Sequence, residues 1–512
     1  LLVACAGGTA AQVPGNQAPP FVTVGPAVRA TTSAEYEIET VIAATRTGRV
    51  LTAFFDGETI ADGLCPGGPD MHRSVIWDHF LSATGPGDSV RFRGPSAPPA
   101  PTGGWCFTTA RSAPQRDPIA VADHSDGTIW VGAFQVTDNE SISRSSSIWV
   151  GRLDPESMAL TLPINAVLYD QPYKSPTCGE PPFYTYFADK PVLTVGRRTG
   201  GAPGRVLYLP YVERWQCEGF GVVSVDGCLK VARSTTDGAT WSVPLDTGVR
   251  AIPGIGPGSQ PQSPSAVVLD NGRLLVTYNQ TSFQGNIYAV WSDAEAAVGS
   301  WRPVSGTAIE PVVIFDSGMS QPELVHIAGF ASRGRAMLHP STARSPIARV
   351  GGFNHVYVAY HRIDPGGADN QVGVYLAHSA DGGATWPTHV RVPVQADGAA
   401  SVLADQFGAS IAVDSLGGIN VIWWEADPVS APDVRFTLYY ARYAALAAGA
   451  QPHALATLFT WDGWQQPGDL GDYQWITAVD QSVHVASCGA ITDPGPNGKV
   501  HVVVRRITLE EP

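Results

Sequence analysis

Lysine is nearly absent from this 512-residue chain, methionine occurs 4 times, and charged residues make up only 15%. Arginine carries most of the positive charge, and the formal net charge is −14. A nucleic-acid-binding surface needs a basic face, so that class is excluded. No apolar run after the first residues is long enough to span a bilayer as a helix. The Gly-x-Ser-x-Gly elbow, the His-Glu-x-x-His pair and the phosphate-binding loop are all missing, which removes the usual serine-hydrolase, zinc-protease and nucleotide-hydrolase readings. No Cys-x-x-Cys or Cys/His spacing points to zinc.

What the chain has is glycine (55), proline (42) and 44% hydrophobic residues. Turn-rich β structure uses both glycine and proline, so the composition predicts many short strands. The opening Leu2-Val3-Ala4-Cys5 before Ala6-Gly7-Gly8 has the form of a bacterial lipobox, with Cys5 as the lipidated residue. Residues 1–18 read as that remnant plus a Gly/Ala/Gln/Pro-rich tether, and 19–512 as one domain. An exported protein, on the cell surface, secreted or periplasmic, is expected, with membrane contact only through the lipid. Six further cysteines then remain, an even number that suggests disulfides in an exported chain. Cys217 with Cys228 is the best pair because they flank one short connection, Cys65 with Cys106 is second, and Cys178 with Cys488 is what is left.

One phrase recurs along the chain: a polar residue, a short apolar strand, a glycine turn, then a strand rich in Val, Tyr and Trp. It appears at Glu39–Phe55, Asp117–Phe134, Lys190–Leu209, Ser263–Tyr278, Gln321–Val325 resuming at Val356–Tyr360, Ala409–Trp424, and Trp475–Ala486. Most copies add a second hairpin, which makes a four-stranded unit. The expectation is an all-β propeller of seven four-stranded blades, with six or eight as alternatives. Phe21-Val22-Thr23-Val24 is then expected to pair into the last blade and close the ring. Long loops are expected at about 56–72, 93–115, 166–186 and 328–353, where function is more often found. A monomer is expected.

The most explicit motif is Ser379-Ala380-Asp381-Gly382-Gly383-Ala384-Thr385-Trp386, between two strand-like runs. Its glycines permit positive φ, and the side-chain oxygens of Ser379, Asp381 and Thr385 suit short bonds to turn N–H groups. A second copy carries Asp237, Gly238, Thr240 and Trp241, with its Asp one place late, and a decayed third ends in Ser300-Trp301. This Ser-x-Asp-x-Gly-x-Thr-Trp pattern resembles the Asp box of the BNR/sialidase-like β-propeller families, which implies a structural role on outer hairpins. The resemblance also implies a polar ligand on the opposite face. It does not carry over a sialidase catalytic set. That family opens its first blade with Arg-Ile-Pro, where this chain has Glu37-Ile38-Glu39, and Arg91-Phe92-Arg93 lies in the wrong strand context.

On a propeller, residues just before first strands and just after second strands rim the channel. Those positions gather Asp56, Glu213, Glu425 and Tyr473 as acid/base or nucleophile candidates, because paired carboxylates can cleave glycosidic bonds. Arg214, Trp215, His361, Arg362 and Asp427 are the substrate-binding candidates, since arginine clamps carboxylates and an aromatic ring stacks on a sugar. Trp105 is a further stacking candidate. No cofactor is implied, although an acidic rim also admits Ca²⁺. The functional expectation is a propeller that binds or hydrolyses a glycan or other polar extracellular ligand. The alternative is an envelope scaffold for protein partners. Whether the chain is an enzyme stays open at this point.

Overall fold

The computed structural model describes residues 21–29, 37–46, 50–56, 73–81, 90–93, 115–139, 143–153, 164–169, 184–217, 226–242, 244–250, 261–280, 286–297, 299–305, 308–309, 312–315, 324–326, 335–337, 339–348, 354–364, 371–395, 404–430, 433–464, 474–489 and 501–510. Apart from one 3₁₀ turn at Thr199–Gly201, every regular element among them is a strand.

Six blades are each built from consecutive antiparallel strands. Blade one is Glu37–Ala44, Val50–Asp56, Arg73–Leu81 and Val90–Arg93; blade two is Gln115–Ala122, Ile129–Asn139, Ser143–Leu153 and Ile164–Tyr169. In blade three, Tyr184–Asp189 and Thr194–Arg197 both pair with the long Arg205–Cys217, followed by Asp226–Ser234 and Leu245–Arg250. Blade four is Pro261–Val268, Leu274–Gln280, Ile287–Ser292 and Trp301–Arg302, with Val312–Phe315 added to the third strand. Blade five is Ser341–Ala348, Asn354–Ile363, Val372–Ser379 and Thr388–Arg391; blade six is Asp405–Val413, Ile419–Ser430, Asp433–Tyr443 and Ala454–Trp464.

The expected seven four-stranded blades, closed by an N-terminal strand in the last, are not the arrangement found. Beyond the six consecutive-strand blades, the two ends of the chain share one composite sheet of five strands. It holds Trp475–Val479, Ser482–Gly489 and His501–Glu510, with Phe21–Val24 and Val28–Arg29 both lying on His501–Glu510. This sheet packs between blade six and blade one and stays open, and no sheet among the described residues curls round to close on itself. The physical reason is that neighbouring sheets meet through side-chain faces. Hydrogen bonding runs out at each sheet's own edge strand. The expected fifth repeat also divides differently. Leu324–His326 pairs with Arg335–Met337 in a separate ribbon, and Ser341–Ala348 supplies the first strand of blade five.

Strand alternation explains the seams. In Leu274–Gln280, Leu274, Val276 and Tyr278 pack toward blade three, while Leu275 packs toward Val356, Val358 and Tyr360 of blade five. Each fully buried side chain of this size contributes about 1.5–3 kcal/mol relative to exposure. Seams of this kind, repeated around the molecule, hold a chain whose separate blades bury little alone.

Side chains also lace the first strands together. Thr342 N donates to Ser265 Oγ (3.0 Å), Ile411 N to Ser341 Oγ (3.1 Å), and Thr40 Oγ1 to the Ala486 carbonyl (3.0 Å). Val372 N donates to Asp405 Oδ1 (2.9 Å) and Val374 N to Gln406 Oε1 (3.1 Å). Several polar residues at the starts of first strands are therefore spent on satisfying a neighbouring blade's backbone, which a buried N–H requires.

The expected disulfides of Cys228 with Cys217 and of Cys488 with Cys178 are not found. Cys228 and Cys488 are buried thiols, and Cys228 Sγ donates to Glu213 Oε1 at 3.3 Å. Register explains it. Cys228 lies opposite Glu213, four residues from Cys217 along the same strand. At strand rise that is about 13 Å, against the ~4.4–6.8 Å between Cα atoms that a disulfide needs. Cys5, Cys65, Cys106 and Cys178 lie outside the described residues.

Candidate functional site

In an antiparallel meander, the turns between strands one and two share a rim with those between strands three and four. The remaining connections share the opposite rim. The Asp boxes lie on the first. Ser379 Oγ accepts from Gly383 N (2.8 Å) and donates to Asp381 Oδ1 (2.8 Å), while Asp381 also accepts from Thr385 Oγ1 (2.7 Å) and from the amides of Ala384 and Thr385. Trp386 Nε1 closes the turn on the Gly383 carbonyl. Burial raises the pKa of Asp381, but these donors outweigh it and hold the carboxyl below its usual value. Gly382 and Gly383 have φ of 71° and 94°, and a Cβ on Gly383 would meet Leu275 at 2.6 Å, so only glycine fits there.

The second box corrects the assignment of Asp237. Thr236 takes the place Asp381 has in the first box, accepting from Thr240 N (2.9 Å), and Gly238 N donates to Ser234 Oγ. Asp237 turns outward instead, to Arg205 (2.8 Å), which also holds Asp123 and Asp126. In the third copy, Ser292 Oγ still accepts from Ala296 N (3.0 Å) and Trp301 is buried.

The sequence-derived candidates sit at the ends of second strands, on the opposite rim, and most are committed to local partners. Glu425, 1% exposed, accepts from Gln395 N through both oxygens (3.0 Å each), from Gln406 Nε2 (2.9 Å) and from Trp423 Nε1 (3.1 Å). Glu213 is buried against Cys228 and Lys230 (3.8 Å). Arg362 lies over the Tyr375 ring at 3.9 Å, and Tyr375 donates to Asp364, which Arg391 also holds at 2.6 Å. Burial and the bond to Asp364 raise the Tyr375 phenol. His361 and Asp427 are buried. Asp56 lies opposite Glu37 and Arg73, Arg214 opposite Phe187 and Gly227, and Trp215 opposite Tyr186 and Asp226. Tyr473 and Trp105 lie outside the described residues. Glu213 and the His361/Arg362 pair stand in blades three and five, and Glu425 and Asp427 in blade six. Among the described residues, no group of three or more His, Cys, Asp or Glu is placed to hold a metal ion.

A narrow cavity at this rim is lined by other residues: Val41, Pro118, Lys190, Pro191, His339 and Trp475 among them. Lys190 Nζ and Asp117 Oδ1 form a buried ion pair at 3.2 Å, and Lys190 N also donates to Asp117. Asp117, Lys190 and Ser263 have φ of 47°, 49° and 45°, each immediately before a proline. Left-handed backbone at a non-glycine residue costs of order 1–3 kcal/mol and persists only where the surroundings enforce it. In three successive blades the chain carries that strain at the channel rim. Its sequence signal is the recurring polar-Pro pair: Asp117-Pro118, Lys190-Pro191 and Ser263-Pro264. Trp475 and His339 carried no such signal.

Fold and rim together define a six-bladed β-propeller arrangement with Asp-box hairpins on one rim and a strained, partly apolar cavity on the other. No family model matches the chain, and no curated protein matches it. Solved structures similar to it include a protein of unknown function from Dyadobacter fermentans, at 14% identity and TM-score 0.43, covering 97% of this chain and 100% of that one. A Hadza microbial sialidase gives 13% identity and TM-score 0.41 over 76% of this chain, which spans 63% of the sialidase. The GH93 alpha-L-arabinofuranosidase of Fusarium graminearum, in complex with arabinobiose, gives 12% identity and TM-score 0.40, covering 76% of this chain and 92% of that one. Similarity this low carries no function across.

Proposed function

We propose that this chain is a carbohydrate-binding propeller whose ligand enters at the rim opposite the Asp boxes. The observation that carries this reading is the cavity there, lined together by the half-buried Trp475, His339, Pro118, Pro191 and Lys190, whose ammonium pairs with Asp117. An aromatic face beside a few fixed polar groups is the usual chemistry of a small-ligand site; the cavity itself, ≈ 10 Å³, has room for about one water, so a sugar ring would bind across its mouth, against Trp475. Binding is favoured over hydrolysis because two of the carboxylates with chemical potential, Glu213 and Glu425, are engaged by internal donors. Glycan-array screening followed by titration calorimetry tests the reading. The expected result is a saccharide whose affinity falls at least tenfold in Trp475→Ala. Unchanged affinity in that variant refutes the site, and turnover lost in Glu213→Gln refutes the preference for binding.

Export and lipidation at Cys5 belong to the same proposal and rest on the lipobox-like Leu2-Val3-Ala4-Cys5. No helix among the described residues is long and apolar enough to cross a membrane. Metabolic labelling with a palmitate analogue should mark the chain and fail to mark Cys5→Ser.

A further inference from the structure

Two histidines meet on the face that blade five turns toward blade six. Tyr357 lies directly opposite His378 on adjacent antiparallel strands, and His355 is two residues from Tyr357, so all three side chains share one face. Tyr357 belongs there to one apolar cluster with Ile411, Val421 and Trp423 of blade six. The His378 ring stacks on Tyr357 (centroids 4.9 Å apart, planes 14° apart) and lies 4.8 Å from the His355 ring. His355 N donates to Ser345 Oγ at 3.1 Å, and His378 runs directly into the Asp box at Ser379. Both rings are therefore held in place, yet both histidines stay half-buried, within reach of solvent.

His378 Nε2 and His355 Nδ1 are 2.9 Å apart and share one hydrogen bond. That separation is also the one that two neighbouring ligands of a single metal ion adopt. With metal–nitrogen distances of about 2.0–2.1 Å, a right angle sets the nitrogens about 2.9 Å apart, and a tetrahedral angle about 3.3–3.4 Å. We propose that His355 and His378 form a site beside the Asp box for a divalent transition-metal ion of tetragonal geometry, copper(II) or nickel(II). The ion takes the place of the shared hydrogen. The ring that donated it carries its proton on the other nitrogen instead, so both imidazoles stay neutral and each gives one lone pair. Water completes the coordination. The inference is independent of the carbohydrate reading, because the pair lies on the opposite rim from the cavity.

The test is titration calorimetry of the full chain, free of any affinity tag, against Cu²⁺ and Ni²⁺, with electron paramagnetic resonance of the copper form. One Cu²⁺ per chain is expected, with the spectrum of two imidazole nitrogens. His355→Gln and His378→Gln should each weaken binding at least tenfold and leave the signature of one nitrogen. Cu²⁺ should raise the melting temperature of the wild type and not that of the double variant. If His378→Gln does not fold, because it also removes the ring stacked on Tyr357, His355→Gln supplies the readout. Wild-type affinity in the variants means adventitious binding at other histidines and overturns the site. So does a wild-type spectrum with a single nitrogen, or no uptake of either ion.

Discussion

Glu425 is where a catalytic and a structural role part most sharply. A carboxylate at the end of a second strand reads as an acid/base candidate, yet its two oxygens receive four hydrogen bonds from three residues, all between 2.9 and 3.1 Å, in a fully enclosed position. Gln395 lies in the connection leaving blade five and Gln406 begins blade six, so the carboxylate pins that crossover. Glu425→Ala removes the acceptor of the buried Trp423 indole N–H and of the part-buried Gln395 amide, and leaves Gln406 Nε2 only the Pro393 carbonyl (3.2 Å). Bonds to charged acceptors are each worth ~1.5–3 kcal/mol but do not add fully, so the expected loss is about 3–5 kcal/mol. Glu425→Gln keeps one acceptor oxygen and turns an NH₂ toward a donor, for an expected loss of about 1.5–3 kcal/mol. At ~1.4 kcal/mol per tenfold, these are changes in the folding constant of roughly 100- to 3,000-fold for the alanine variant and roughly 10- to 100-fold for the glutamine variant. Urea unfolding followed by tryptophan fluorescence measures them, with Trp423 and Trp424 beside the mutation as reporters. A Glu425→Gln protein that unfolds with the wild type but has lost turnover or binding would refute the structural assignment and return the carboxylate to the ligand.

Four further outcomes are expected. Arg442→Met leaves Asp414 buried without its guanidinium (2.8 Å) and should cost about 3–5 kcal/mol in urea unfolding, part of it recovered by adding Asp414→Asn. His484 is depressed to about 3, by burial first and by Arg506 second. Its neutral form is native, so its share of stability is complete above about pH 6.5 and is lost as pH falls toward 3, at up to ~1.4 kcal/mol per unit. His484→Gln should flatten the stability–pH profile over that window without levelling it, because burial also depresses His124 and His389. Gly196→Ala would place a Cβ 2.3 Å from Val268 in the next blade and should cost about 1–3 kcal/mol, with Val268→Ala as partial rescue in thermal melts. Cys228 and Cys488 should be alkylated only after unfolding, as read by peptide mass mapping.

How far the sequence could be read depended on the range of each interaction. The Asp box at Ser379–Trp386 was legible because all its bonds close within eight residues. The second strands of the blades were legible from their Val, Tyr and Trp runs. Asp237 misled because a threonine hydroxyl accepts a turn N–H as well as a carboxylate does, so the motif shifted by one residue. Cys217 and Cys228 misled because loop spacing says nothing of register. The rim misled most. Glu213 and Glu425 read as acid/base residues in one dimension, and are held by internal donors in three.

The lacing between blades has a consequence for how such a chain can change over evolutionary time. The joints are not uniform: serine hydroxyls take the Thr342 and Ile411 amides, an aspartate takes the Val372 amide, Gln474 takes the Gly408 carbonyl, and Asp117 takes Lys190. A duplicated or deleted blade would bring together two joints not made for each other and strand a buried donor on at least one side. Recombination between neighbouring repeats, the event that readily lengthens or shortens uniform repeat arrays, is therefore penalised here wherever it would join two different devices. The divergence of the repeats acts as a lock on their number and order.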